Sequence, residues 1–178
     1  IGRDGPAAWN RPRGQASAAD RPVRVGGVAC CRVPRRLAGR GMVGRRSVPP
    51  MPVQPGQRAT VELVVGEAGA ALALRTGEVE VLATPRLLAL CEEAAFTAVA
   101  PQLGPGLTTV GMKVQLDHLA PSAVGHRVVA EAVVEKVNGR RVLFTVSVTD
   151  ERGLVGVGRV TRVVVDAEHF LAKAAGHP

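Results

Sequence analysis

The chain has 178 residues, 46% of them apolar, four aromatic side chains with no tyrosine, and a formal charge of +8. This length suits one domain with a sizeable core, and no apolar run approaches the roughly 20 residues of a membrane helix. Cys30, Cys31 and Cys91 are the only cysteines; they make neither an even disulfide framework nor paired zinc-ligand spacing, so a cytoplasmic location is expected.

The charge is unevenly placed. Residues 1–50 hold eleven Arg, no Lys, two Asp and no Glu, a net charge of +9, whereas residues 51–178 carry twelve basic against thirteen acidic side chains, a net charge of −1. The basic character therefore belongs to a tail, and a basic nucleic-acid groove within the domain is not expected. Residues 1–55 are rich in Gly, Pro, Arg and Ala without a period of 2 or 3.6, and such a segment cannot bury enough apolar surface to offset its ordering entropy. They are expected to be a disordered extension, with the folded domain over 56–178. Met51, where the composition changes, and Met42 are candidate natural initiators; the Arg-rich composition also resembles a targeting segment, but one with only two Ser and many helix-breaking residues.

From Arg58 the pattern becomes periodic. Thr60 to Val64 reads as a strand and Ala71 to Leu74 as a short second one before the Thr76-Gly77 turn. Apolar residues at 87, 88, 91, 94, 95, 98 and 99 then have helical spacing. Thr84 is placed as N-cap and Pro85 as first helical residue, where a missing N–H costs nothing. Strands follow over Thr108 to Leu116, Arg127 to Val137, Arg141 to Thr149 and Leu154 to Val165. Asn138-Gly139 has the composition of a type I′ hairpin turn, and Asp166 is placed as cap of a C-terminal helix over Ala167 to Ala174. One long apolar helix with a set of antiparallel strands is an α+β arrangement, and the alternating βα units of a dinucleotide-binding fold are missing.

Several polar residues stand out against this framework. On a helical wheel the apolar arc centres near Cys91 and Ala95, with Glu93 opposite it and Glu92 at its edge. A carboxylate beside apolar surface is partly desolvated, which suits a general base or nucleophile; a boundary carboxylate reaching to water is the alternative. His118, at a strand end, can serve as acid–base partner or simply as a half-buried histidine. Thr84 has a capping explanation, and its place at the positive end of a helix also suits an oxyanion or a thioester carbonyl. The adjacent Asp117 and His118 point to opposite faces of a strand, a poor arrangement for a hydratase pair.

Val81-Leu82-Ala83-Thr84-Pro85 through Leu90-Cys91-Glu92-Glu93-Ala94, Thr109-Val110-Gly111 leading to His118, Ala120-Pro121 with Gly125, the hairpin Val137-Asn138-Gly139-Arg140-Arg141, and Gly158 with Thr161-Arg162 carry a resemblance. Over about residues 56–175 the chain resembles the hot-dog thioesterases related to fluoroacetyl-CoA thioesterase. The resemblance implies a hot-dog fold, a curved antiparallel sheet wrapped around one central helix, and a homodimer that hydrolyses an acyl-CoA without metal or redox cofactor. It places the family's catalytic threonine, glutamate and histidine on Thr84, Glu92 and His118, and substrate-contacting positions on Gly111 and Arg162. One departure is specific: the aromatic residues that the fluoroacetyl-selective enzyme has before its catalytic threonine have no counterpart in residues 66–83. A thioesterase without fluoroacetyl selectivity is expected, with a non-catalytic acyl-CoA-binding module as the alternative and no membrane or nucleic-acid partner.

Overall fold

The computed structural model describes residues 52–176. The Arg-rich segment, both candidate initiators, Cys30 and Cys31 lie outside the described residues. Val53 is 4% exposed and belongs to the core, so the folded part reaches at least that far upstream.

The elements run β1 (Arg58–Val64), α1 (Thr84–Val99), β2 (Leu107–His118), β3 (Arg127–Asn138), β4 (Arg141–Asp150), β5 (Gly153–Asp166) and α2 (Ala167–Ala174). The five strands form one antiparallel sheet in the order β1-β3-β4-β5-β2. The helix α1 lies across one face of this sheet, packed chiefly on β1 and β3. Its buried residues, among them Leu87, Cys91, Ala95 and Val99, follow the predicted arc. Small residues on both sides, Ala94 and Ala95 on the helix and Ala130 and Ala132 on β3, are completely buried and let the two layers approach closely. Burial pushes the Cys91 thiol up to about 11, which leaves it protonated and acting as a small apolar side chain.

Phe144, at the centre of β4, is the largest fully buried side chain. Truncation to alanine in a Phe144→Ala variant is expected to cost about 3–5 kcal/mol, because neighbours on a pleated sheet collapse only partly into the space. Equilibrium urea unfolding measures it, and a loss below 1 kcal/mol would contradict this packing.

Three sequence expectations are corrected. Ala71 to Leu74 is not a strand: the chain coils through tight turns there, with Leu74 N–H bonded to the Ala70 carbonyl, and only Ala70 makes an isolated bridge, to Leu82. Alternation over four residues is too short to distinguish a strand from a turn closed by its own backbone bonds. The hairpin between β3 and β4 turns on Gly139-Arg140, because Asn138 still pairs with Arg141. Gly139 has φ 56° and Asn138 is not in the left-handed region, so the glycine occupies the first central position, the type II′ pattern. The third concerns Thr84 and is described with the site. The α2 cap is as expected: the Asp166 carboxylate accepts from the His169 N–H at 2.9 Å.

A second polar cluster staples the β4–β5 turn to the preceding loop. Asp150 accepts from the Ser122 hydroxyl, the Arg152 backbone N–H and the Arg152 guanidinium, which also donates to the Pro121 carbonyl. The Arg152 hydrogen bond holds the Asp150 carboxyl down at about 2. Its contribution is complete above the ordinary carboxylate range and is lost as pH falls through about 2.

Candidate active site

The end of the loop before α1 decides what Thr84 can do. Ala83 is extended (φ −74°, ψ 141°), and its carbonyl accepts the first helical bond from Leu87 N–H. Ala83 is therefore the N-cap, Thr84 the first helical residue and Pro85 the second, which corrects the predicted cap. The Thr84 side chain makes no capping bond. Its hydroxyl instead lies 3.0 Å from His118 Nδ1. The competition between capping and chemistry does not arise, because the backbone reaches its first helical bond one residue earlier.

His118 comes to this position by way of an irregularity in β2. Gly111 pairs with Arg162, but the next register partner, Thr161, is opposite Lys113, so Met112 is an extra, bulged residue. Side chains alternate along a strand, and one inserted residue reverses the phase. Thr109 and Gly111 therefore share the helix-facing side with Val114, Leu116 and His118, while Asp117 is exposed on the other. The Nε2 atom of His118 is shielded and has no hydrogen-bond partner among the described residues.

A second group lies two turns further along α1. Glu92 Oε1 accepts from Arg162 Nη1 at 3.0 Å, with the Glu92 side chain 31% exposed and that of Arg162 only 9%. Glu92 Oε2 makes no hydrogen bond among the described residues. Gly111 lies directly under this carboxylate: a Cβ there would fall well inside contact distance of Oε1 and 3.1 Å from Cδ. Any side chain at 111 would push the Glu92 carboxylate aside, so the glycine leaves it room to sit against Arg162. The Arg162 guanidinium also donates from Nε to Thr109 Oγ1 and from Nη2 to the Thr109 carbonyl, both at 2.9 Å. Burial works against its charge, drawing its proton affinity down, while the Glu92 carboxylate opposes that shift.

The five residues singled out in the sequence thus form two groups, Thr84 with His118 and Glu92 with Gly111 and Arg162. Glu92 stands eight positions after Thr84, about 12 Å along the axis, and helical side chains lean toward the N-terminus, which brings the carboxylate toward the threonine. Arg162, expected at the substrate, holds protein groups here. Sequence reasoning passed over Thr109, whose signal was its period-2 relation to Gly111, and over the bulge, which leaves no compositional mark. Among the described residues no His, Cys, Asp or Glu cluster could hold a metal ion, and no helix is long and apolar enough to cross a membrane.

This architecture recurs in solved structures. A hot-dog-like protein from Thermanaerovibrio acidaminovorans shares the fold with a TM-score of 0.64 at 23% identity, over 68% of this chain and 90% of that one. A thioesterase superfamily member from Thermus thermophilus aligns with a TM-score of 0.64 and 31% identity, over 73% of this chain and 93% of that one. The class is therefore a thioester hydrolase on the hot-dog fold. The chain belongs to the fluoroacetyl-CoA-specific thioesterase family, whose sequence profile matches residues 65–168. It is 36% identical to the fluoroacetyl-CoA thioesterase of Streptantibioticus cattleyicolor over 94 residues, 53% of this chain and 68% of that protein. A solved fluoroacetyl-CoA thioesterase superposes with a TM-score of 0.67 and 30% identity, over 71% of this chain and 98% of that one.

Proposed function

We propose that this protein hydrolyses acyl-CoA thioesters to the free acid and CoA, without selectivity for the fluoroacetyl group. The observation that carries this reading is the state of Glu92: one carboxylate oxygen is fixed by Arg162 and the other is left unbonded, on the helix whose first turn presents the exposed Thr84 hydroxyl tied to His118. Glu92 Oε2 attacks the thioester carbonyl, or takes a proton from the water that does. Backbone N–H groups at the start of α1 or beside Gly111 receive the oxyanion, a contribution typically worth about 10²–10³ in rate. The C–S bond then breaks, and the CoA thiolate takes a proton delivered from His118 through the Thr84 hydroxyl. In the direct-attack route, water cleaves the acyl–Glu92 anhydride and restores the carboxylate; in either route the proton released from water passes to solvent, and His118 regains from solvent the one it gave to the thiolate.

The lack of fluoroacetyl selectivity is supported by the segment before Thr84, which has exposed Leu72, Leu74 and Val79 and no aromatic side chain. A homodimer is proposed from the outer edge of β2, which has no strand beside it among the described residues and leads directly past Gly111. A cytoplasmic location is part of the same reading, in keeping with the unpaired Cys91 thiol.

The test is release of free thiol from acetyl-, fluoroacetyl- and longer aliphatic acyl-CoAs by the full chain, with the mass in solution measured alongside. Release from several of them, with fluoroacetyl-CoA not preferred over acetyl-CoA and a mass twice that of the chain, is expected. Tight binding of acyl-CoA with no thiol released would overturn the enzymatic reading in favour of a binding module. Turnover confined to fluoroacetyl-CoA would overturn the specificity.

A further inference from the structure

The side chain that holds Glu92 is itself held, at three of its nitrogens, by groups that leave it little freedom. The guanidinium is planar, and its Nε and Nη2 hydrogens point the same way from one edge. Both are taken by a single residue, Thr109, through its hydroxyl and its own carbonyl, each at 2.9 Å. Fixing that edge fixes the plane, and Nη1 is then directed at Glu92, 3.0 Å from Oε1 and 3.5 Å from the backbone carbonyl. Thr109 is 4% exposed and Arg162 8%, so water does not compete for these bonds. Both residues lie on paired strands, Thr109 two positions before Gly111 on β2 and Arg162 opposite Gly111 on β5.

We infer that Thr109 is a positioning residue for thioester hydrolysis, acting through Arg162 to hold Glu92 Oε1 and so present Oε2 to the thioester. This rests on the reading of Glu92 as the reacting carboxylate. The hydroxyl is the separable part of the device, because the carbonyl bond survives any substitution. Without the hydroxyl, Arg162 Nε keeps a buried hydrogen with no acceptor, and the guanidinium turns about its remaining bonds to find one. A misplacement of the carboxylate by a fraction of an ångström or more acts on the chemical step while leaving substrate affinity alone.

The experiment compares Thr109→Val, which keeps the shape and removes the hydroxyl, with Thr109→Ser, which keeps the hydroxyl, in the full chain with the best acyl-CoA of the panel. Thr109→Val is expected to lower kcat about tenfold with KM within about twofold, and Thr109→Ser to retain most of the wild-type kcat. In a Glu92→Ala background, where there is no carboxylate to place, Thr109→Val is expected to cause no further loss of the residual rate. If the valine variant does not fold, as judged by circular dichroism, Thr109→Ala against Thr109→Ser makes the same comparison. A wild-type kcat in Thr109→Val, equal losses in the valine and serine variants, or an additive loss in the Glu92→Ala background overturns the inference while Glu92 keeps its role. Wild-type turnover by Glu92→Ala alone removes the reading of Glu92, and the inference with it.

Discussion

Glu92→Ala is expected to lower kcat by about 10²–10⁴, the range over which a positioned acid–base or nucleophilic group acts, while the domain stays folded. The more telling partner is Glu92→Gln. Its amide oxygen can still accept from Arg162 Nη1, so the buried guanidinium keeps a partner and the local packing is unchanged. The amide is neither a nucleophile nor a base at neutral pH, so its loss should match that of alanine. Thiol release under saturating acyl-CoA measures both. A glutamine variant close to wild type would show that Glu92 serves only as counter-charge to Arg162, and the proposed chemistry would have to be abandoned. A neighbouring control is Glu93→Ala: Glu93 makes no ion pair among the described residues, and turnover should be unaffected.

Loss of the His118 imidazole has a comparably large expected effect. His118→Ala removes the partner of the Thr84 hydroxyl and the proton source for the leaving thiolate, and thiol release should fall by about 10²–10⁴. Deletion of Met112 is the contrasting variant. Lys113 already pairs with Thr161 and Val114 with Val160, so removing the extra residue straightens β2 without exchanging its faces. Val114, Leu116 and His118 stay on the helix-facing side, and the variant is expected to remain folded and to turn over far faster than His118→Ala. Met112→Ala keeps the residue count, and with Met112 half exposed it should retain wild-type stability and rate. Chemical denaturation and turnover of the three variants, side by side, decide it. A deletion variant as inactive as His118→Ala would mean that the local bend of the bulge is itself needed to bring the histidine to Thr84.

The fold was legible wherever a long period ran uninterrupted. The apolar spacing of α1 and the alternation through Val128, Ala130, Ala132 and Val142, Phe144, Val146 correspond to the helix and to the buried faces of β3 and β4. Short signals were less reliable. Four alternating residues at Ala71 to Leu74 describe a turn as well as a strand, and Asn138-Gly139 names the correct hairpin but places its turn one residue early. Residue preference points to Thr84 as the cap, yet the first helical bond is accepted by Ala83, a choice the preceding bond from Ala83 N–H to the Gly69 carbonyl helps to fix.

For the site, the wheel separated Glu92 from Glu93 because helical geometry is local and regular. The long elements, their buried faces and the residue types available for chemistry can be read along the chain, since they follow from periods of 2 and 3.6 and from local backbone preference. Which residues meet across the fold is set by the packed sheet and helix. Whether His118 points toward Thr84 depends on β2 taking up one residue as a bulge, and the bond from Arg162 to Glu92 depends on β2 lying beside β5 with Thr109 to grip the guanidinium. Contacts between residues 34 or 70 positions apart are set by strand order and register. Those are properties of the assembled sheet, and no window of sequence contains them.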